Sequence, residues 1–281
     1  MKQRIEVLFE NHECVVLNKP AGLPVQGGRG VSSSLDAILQ DPRGRLGEIH
    51  LEKGTRLLLV HRLDKDTSGA LLAAKGHEAA AKFSALFASG ERGGQGAREV
   101  QKRYLAVSAG RPSPEPGVIR TSLDIRGKSK TAETSYARLS GGPLLDDAAA
   151  GGRSYGLEFS VLELELGTGR MHQIRRHLQE IGCPILGDDK YGDFALNKAL
   201  RKQGAVKRLL LHASRLVVSD TVPGCNIDVS APLPEYFARF FIHVLQGIGA
   251  QGDVVRAGDH ERHAGGIPVF PVDPYRLRLD Q

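Results

Sequence analysis

The rhythm of apolar and polar positions along the chain predicts more strands than helices. Residues 5–9 and 14–17 are short apolar runs on either side of a polar turn at 10–13, the pattern of two paired strands. Residues 18–28 contain two prolines and three glycines and predict a rigid loop with no helix. Ser34 then caps a short helix over 35–39. Residues 57–60 and 70–74 are continuous apolar runs, each the mark of a buried strand, and 77–87 repeat apolar residues at helical spacing. Further strands are expected at 100–107, 132–139, 157–166, 209–218 and 227–232. The third of these alternates leucine with glutamate and so predicts a half-buried strand. Residues 171–181 read as a helix ended by Gly182 and Pro184, 185–191 as a compact loop, and 234–245 as a closing helix. Residues 90–97, 111–117 and 141–152 read as loops or turns. The period fades after Gly247.

Many strands with few helices predict an α+β fold: a mixed, mainly antiparallel central sheet with flanking helices and loops. One domain is expected over 1–245, followed by a tail, 246–281, loosely attached or disordered.

Composition narrows the class without deciding it. The 281 residues are 41% hydrophobic and 25% charged, enough apolar material for one large core or two small ones. The net charge of +6 favours a polyanionic partner such as nucleic acid over simply a basic soluble protein. Cys14, Cys183 and Cys225 form no paired pattern, which suits a reducing, cytoplasmic setting. The N-terminus has no apolar signal region, and no apolar stretch approaches the roughly 18 residues needed to span a membrane. Nothing in the chain requires more than a monomer.

Chemistry concentrates in three patches. The first is the proline–glycine loop 18–28. The second, 61–69, reads His-Arg-Leu-Asp-Lys-Asp-Thr-Ser-Gly and lies between two runs that are expected to be buried. Uncompensated burial of Arg62, Asp64 or Asp66 costs several kcal/mol, roughly, per ion, so these residues either pair with one another in a polar turn or face an open cleft. The third, 167–178, is a glycine turn opening a helix that carries Arg170, His172, Arg175, Arg176 and His177. Arginines and helix N-termini attract anions, although a solvated basic helix would read the same way. Arg175 and Arg176 point about 100° apart, so one can face a cleft while the other faces solvent.

Taken together and in order, these patches resemble the RluA family of RNA pseudouridine synthases, over roughly residues 5–240. Residues 61–69 are similar to its HRLDxxTSG signature and 18–22 (Asn-Lys-Pro-Ala-Gly) to its NKPxG loop. Lys102-Arg103-Tyr104-Leu105-Ala106 is similar to its K-x-Y-L-A strand, and 169–175 to its GRxHQIR motif. Pro184-Ile185-Leu186-Gly187-Asp188 and Tyr191-Gly192 follow as in the family. The resemblance implies an enzyme that isomerises uridine to pseudouridine in ribosomal or transfer RNA without cofactor or metal. Asp64 would be its essential carboxylate. A carboxylate can attack the sugar, stabilise positive charge there or remove a sugar proton, and the residues do not choose among these. Burial opposes its charged form and a nearby arginine restores it. By resemblance Arg175 is that arginine, with Arg170 as second choice. Tyr104 would stack on the uracil and assist proton movement at carbon 5, and Arg62 would fill the gap left by a flipped base. Lys19, Arg170 and His172 are expected on RNA. Lys102, Arg103, Arg176, Arg201, Lys202, Lys207 and Arg208 could meet phosphates as well. Asp66 matches a variable position and carries no expected role. No additional N-terminal RNA-binding module is expected, and neither 90–97 nor the tail has an assigned counterpart.

Two other chemistries are weaker. Asp64-Lys65-Asp66-Thr67 matches the Asp-x-Asp-x-Thr of aspartyl-phosphate phosphotransferases, but Arg62 would repel the Mg²⁺ which that chemistry uses. His172 and His177 are five apart rather than the four that would place two zinc ligands on one helix face. A binding module without catalysis would not need Asp64, Tyr104 and Arg175 together.

Overall fold

In a computed structural model of the chain, the described residues are 4–28, 33–40, 46, 49–52, 54–89, 100–125, 127–144, 158–219 and 226–249. Among them ten strands form one sheet: β1 (Glu6–Glu10), β2 (Cys14–Lys19), β3 (Leu57–Leu59), β4 (Ser68–Lys75), β5 (Val100–Ala109), β6 (Gly117–Ile125), β7 (Lys128–Pro143), β8 (Glu158–Leu166), β9 (Leu211–Val218) and β10 (Ile227–Ser230). Their spatial order is β1-β2-β4-β9-β5-β8-β7-β6, with β3 also on β4 and β10 also on β9. The β4–β9 pair is parallel and the other pairs are antiparallel. The helices are α1 (Leu35–Gln40), α2 (Gly76–Ser89), α3 (Gln173–Glu180), α4 (Phe194–Lys202) and α5 (Glu235–Gly249). This is the expected α+β fold.

The apolar runs without alternation have a physical reason. β2 and β4 are covered on both faces, so nearly every residue is buried. Val15, Leu17, Leu71 and Ala73 join one core with Leu35 of α1, Ile174 of α3, Leu196 of α4 and Phe237 of α5. Cys14, Val16, Leu72 and Ala74 join the other with Phe83 and Phe87 of α2.

The parallel pair fixes the place of the 61–69 turn. Ser68 lies opposite His212 and Gly69 opposite Ala213. Gly69 has φ +111°, and a Cβ there would fall on the Ala213 backbone. Glycine is therefore required where the turn enters the sheet, for conformation and for space.

Two elements escaped the sequence reading. β6 was missed because few of its side chains, Ile119 and Leu123 among them, are buried on an edge strand. α4 was missed although Asp193 caps it, accepting from Leu196 N at 2.9 Å. β7 runs beyond the expected 132–139, and α5 continues to Gly249, so residues 246–249 extend the closing helix rather than begin the tail. The loop expected at 90–97, the part of 141–152 from residue 145 onward, and the tail from residue 250 lie outside the described residues.

Candidate active site

The proline–glycine loop and the 61–69 turn are fastened to each other. Lys19 Nζ donates to the carbonyls of Pro20 (3.0 Å), Leu23 (2.8 Å) and Lys65 (3.0 Å), and Gly22 N donates to Lys65 O at 2.9 Å. This corrects the expectation that Lys19 meets RNA. It is fully buried, and its three donors are spent on carbonyls that bind the loop to the residue beside Asp64. Burial pulls its pKa down to about 7, against the pull of Asp66 and Asp64.

The far end of the turn is held by a buried relay. Ser68 Oγ lies 2.7 Å from the Tyr236 hydroxyl and 2.9 Å from His212 Nδ1. His212 Nε2 faces the Ala231 carbonyl at 3.3 Å, so that nitrogen carries the proton and Nδ1 accepts from Ser68. Burial pushes the His212 pKa down to about 4, in keeping with a neutral ring. At the near end, His61 Nε2 accepts from Leu72 N at 2.8 Å and its ring stacks on Phe87 at 4.3 Å. Desolvation and the Lys102 ammonium push its pKa down to about 3, so it too acts as a neutral acceptor. These anchors leave Asp64 fixed between them.

The GRxHQIR stretch divides by helix geometry. Gln173 and His177, four apart, face β7. Gln173 Oε1 accepts from Thr168 Oγ1 (2.6 Å) and Arg170 N (3.0 Å), while its Nε2 donates to Glu133 O (2.8 Å) and Thr134 Oγ1 (3.0 Å). His177 Nδ1 lies 2.9 Å from Thr134 Oγ1. His172 and Arg175, three apart, share the face toward Asp64. Arg175 Nη1 is 3.6 Å from Asp64 Oδ2, and His172 Nε2 is 3.8 Å from Asp64 Oδ1. Each carboxylate oxygen thus faces a different nitrogen. Arg176 points away, and its Nη1 donates to Asp124 O at 3.0 Å.

Arg175 is itself gripped. Its Nε and Nη2 donate to the two oxygens of fully buried Asp188 at 2.8 and 2.7 Å, and Nη2 also reaches Asp189 at 3.1 Å. Burial works against the cation, but Asp188, Asp64 and Asp189 outweigh it and raise the Arg175 pKa. Burial likewise works against the Asp188 carboxylate, and Arg175 with the N–H groups of Tyr191 and Lys190 outweighs it and lowers the Asp188 pKa. Asp188 stood in a matched motif, but its part as the partner of Arg175 could not be read there.

His172 has φ +54°, the left-handed region that a residue with a side chain rarely enters. The conformation turns the chain into α3 with the ring facing Asp64. Tyr191 supports it: its hydroxyl is 3.1 Å from His172 Nδ1 and its ring meets the imidazole edge-on. Desolvation, with Arg175 and Lys190, outweighs Asp64 and lowers the His172 pKa, which keeps the ring neutral. Backbone strain of this kind gathers at functional sites.

His61, Asp64, His172, Gln173 and Arg175 line an open cleft of about 670 Å³. Tyr104, in the wall, is buried, and burial together with Asp64 raises its phenol pKa. Arg62, Lys102, Lys128, Lys130, Arg170 and Arg175 supply positive charge, and Asp64 is the one carboxylate among the described lining residues. Arg62 is exposed at the rim with Nη1 3.5 Å from Gln26 Oε1, and Arg170 Nε lies 3.4 Å from Thr131 O. The cleft therefore brings together Arg62, Asp64, Tyr104, Arg170, His172 and Arg175, whereas Lys19 lies outside it. The charge of the cleft is complementary to a polyanion, and it presents one oriented carboxylate beside a buried phenol. Among the described residues no group of three metal-binding side chains occurs, and no helix is long and apolar enough to cross a membrane.

A family model described as RNA pseudouridylate synthase matches residues 13–180. The ribosomal large subunit pseudouridine synthase C of Rickettsia prowazekii (strain Madrid E) is 35% identical over 243 residues, covering 84% of this chain and 70% of that one. The tRNA pseudouridine synthase C of Salmonella typhi is 29% identical over 256 residues, covering 88% and 91%. The solved structure of human RNA pseudouridylate synthase domain containing 4 superposes with a TM-score of 0.61 at 27% identity, over 85% of this chain and 93% of that one.

Proposed function

This chain belongs to the RluA family of RNA pseudouridine synthases, and we propose that it converts specific uridines of ribosomal or transfer RNA to pseudouridine with Asp64 as the essential carboxylate. The observation that carries the proposal is the placement of Asp64. Both its oxygens are met by nitrogens of α3 and its N-cap, inside a cleft whose other charged side chains are cations.

The reaction breaks the bond between carbon 1′ and the base nitrogen, turns the uracil, and joins carbon 5 to carbon 1′. One proton leaves carbon 5 and one arrives on the freed nitrogen, so the conversion is an isomerisation that consumes no oxidant, reductant or water. Asp64 acts at the sugar, as nucleophile, as electrostatic stabiliser or as proton acceptor. Arg175 holds one of its oxygens, anchored by Asp188. His172 faces the other: the Tyr191 hydroxyl donates to Nδ1, which leaves the proton on Nε2 directed at Asp64. The 3.8 Å separation is longer than a hydrogen bond, as catalytic contacts often are before substrate binds. Tyr104 supplies a ring against which the uracil stacks. As a neutral phenol it relays a proton rather than serving as a resident base. Arg62 stands at the rim, placed to fill the space of a base drawn out of its stack, a step that costs a few kcal/mol, roughly.

Pseudouridine maps of RNA from cells with and without the gene test the proposal. Loss of pseudouridine at one or a few uridines is expected, and identical maps would overturn it. The support given to His172 has its own test. Tyr191→Phe keeps the ring that stacks beside Arg175 and removes only the hydroxyl. It is expected to lower kcat by about tenfold with KM for RNA unchanged, and to lower the melting temperature by no more than about 2–4 °C, the worth of one hydrogen bond. A change in KM alone would assign Tyr191 to RNA binding.

A further inference from the structure

The geometry points to a second RNA contact on the outer face of α4, which we propose binds the backbone and one base of the RNA that flanks the target nucleotide. The inference rests on the RNA-modifying reading of the cleft and extends it to a surface outside that cleft.

Helix α4 has two faces. Leu196, Asn197 and Leu200 are buried. Phe194, Lys198, Arg201 and Lys202 stand at i, i+4, i+7 and i+8, within about 100° of one another on the opposite face. All four are exposed, and Phe194 at 64% is the most exposed large apolar side chain among the described residues. From Phe194 to Arg208 the sequence holds five basic residues and no acidic one. Lys198 and Lys202 are like charges four apart, which disfavours the helix unless an anion lies across them.

An aromatic ring aligned with three cations has the chemistry of a single-stranded nucleic acid contact. The cations follow phosphates, and the ring stacks on a base whatever its identity. The charge selects a polyanion over a second protein as occupant.

The stripe is rigidly tied to the catalytic cleft. Asn197 Oδ1 accepts from Gly187 N and its Nδ2 donates to Asp188 O, both at 2.8 Å. Asp188 is the residue that grips Arg175. The helix begins three residues after Tyr191, which contacts His172. At the other end Arg208 Nη1 lies 3.5 Å from Ala21 O in the proline–glycine loop. Exposed Lys190 precedes Phe194 in the chain, so the positive charge of the stripe continues toward Tyr191 and His172.

Binding of an unmodified large-subunit ribosomal RNA transcript, measured over a range of potassium chloride, tests the assignment. Replacing Lys198, Arg201 and Lys202 together by Gln is expected to make the log–log salt slope shallower by about 2 and to weaken binding near physiological salt by roughly 50-fold. Phe194→Ala is expected to weaken binding by about 5- to 100-fold with the slope unchanged. In turnover both variants raise KM and retain kcat. Unchanged affinity and slope would overturn the proposal. So would a fall in kcat with KM unchanged, or loss of a dimer on sedimentation with RNA affinity intact, which would make the stripe an interface between copies of the chain. Binding is read without turnover, so a wild-type protein that binds RNA but forms no pseudouridine would count against the catalytic reading and leave the α4 measurement decisive in itself.

Discussion

Replacing Asp64 by Asn is expected to lower pseudouridine formation by at least about 10⁴-fold while RNA binding persists. Asparagine has almost the same shape, so the turn held by Lys19, His61 and Ser68 has no reason to move. What changes is chemical. The side chain loses its negative charge and its nucleophilic oxygen, and it gains an N–H group that must point at one of two nitrogens. Arg175 Nη1 and His172 Nε2 lie 3.6 and 3.8 Å from the two present oxygens, and neither can accept a hydrogen bond from an amide in the arrangement described. The variant therefore loses orientation as well as reactivity. Its fold stands because Arg175 keeps Asp188 and Asp189. Removing the one carboxylate from a cleft lined by six cations leaves RNA affinity equal or slightly higher. Product yield and equilibrium binding measured on the same preparation check both halves. Turnover within tenfold of wild type would remove Asp64 from the chemistry, and lost binding with lost turnover would recast it as a residue that holds RNA.

The parts of this site that the sequence made legible are those whose pattern and chemistry coincide. Residues 61–69 stood out because a charged turn lies between two apolar runs; of these β4 is buried and β3 only partly so, and the structure places the turn where β4 meets β9. Arg175 and Arg176 separated by helix angle alone, one turned to Asp64 and one away from it. Lys19 went wrong for a definable reason. A lysine beside a proline–glycine loop reads as an exposed cation, and only the tertiary approach of Lys65 shows that its donors are used on carbonyls. Asp188, Tyr191 and His212 share that difficulty: each acts by meeting a group far away in the chain, and periodicity carries no information about such pairs. The left-handed backbone of His172 was hidden as well, since no glycine or asparagine marks it. α4 was lost to its composition: three cations and a phenylalanine outside obscured a narrow apolar stripe inside.

Replacing Asp188 by Ala is expected to be the most damaging change to stability at this site, at about 3–5 kcal/mol. The Asp188 carboxylate accepts four hydrogen bonds, two from Arg175 and one each from Lys190 N and Tyr191 N at 2.9 Å. Without it a buried guanidinium retains Asp64 at 3.6 Å and exposed Asp189, and two backbone donors lose their acceptor. For a domain of this size the loss lowers the melting temperature by roughly 6–20 °C. Activity falls further than stability, because Arg175 no longer holds its place beside Asp64. Acid pH reveals the same contact. The Asp188 pKa is lowered from its ordinary 3.8, so its contribution to stability is present above that value and is lost as the pH falls below it toward the folded-state pKa. The stabilities of wild type and Asp188→Ala therefore converge on acidification in that window. A double variant, Arg175→Met with Asp188→Leu, separates the two roles. With both charges gone and the volume filled, most of the stability returns, whereas activity does not, since Asp64 has lost the cation at its Oδ2. Thermal melts and turnover of the three proteins decide the matter. An Asp188→Ala protein that melts within two or so degrees of wild type, about 1 kcal/mol, would mean that the buried fork does not hold the site together.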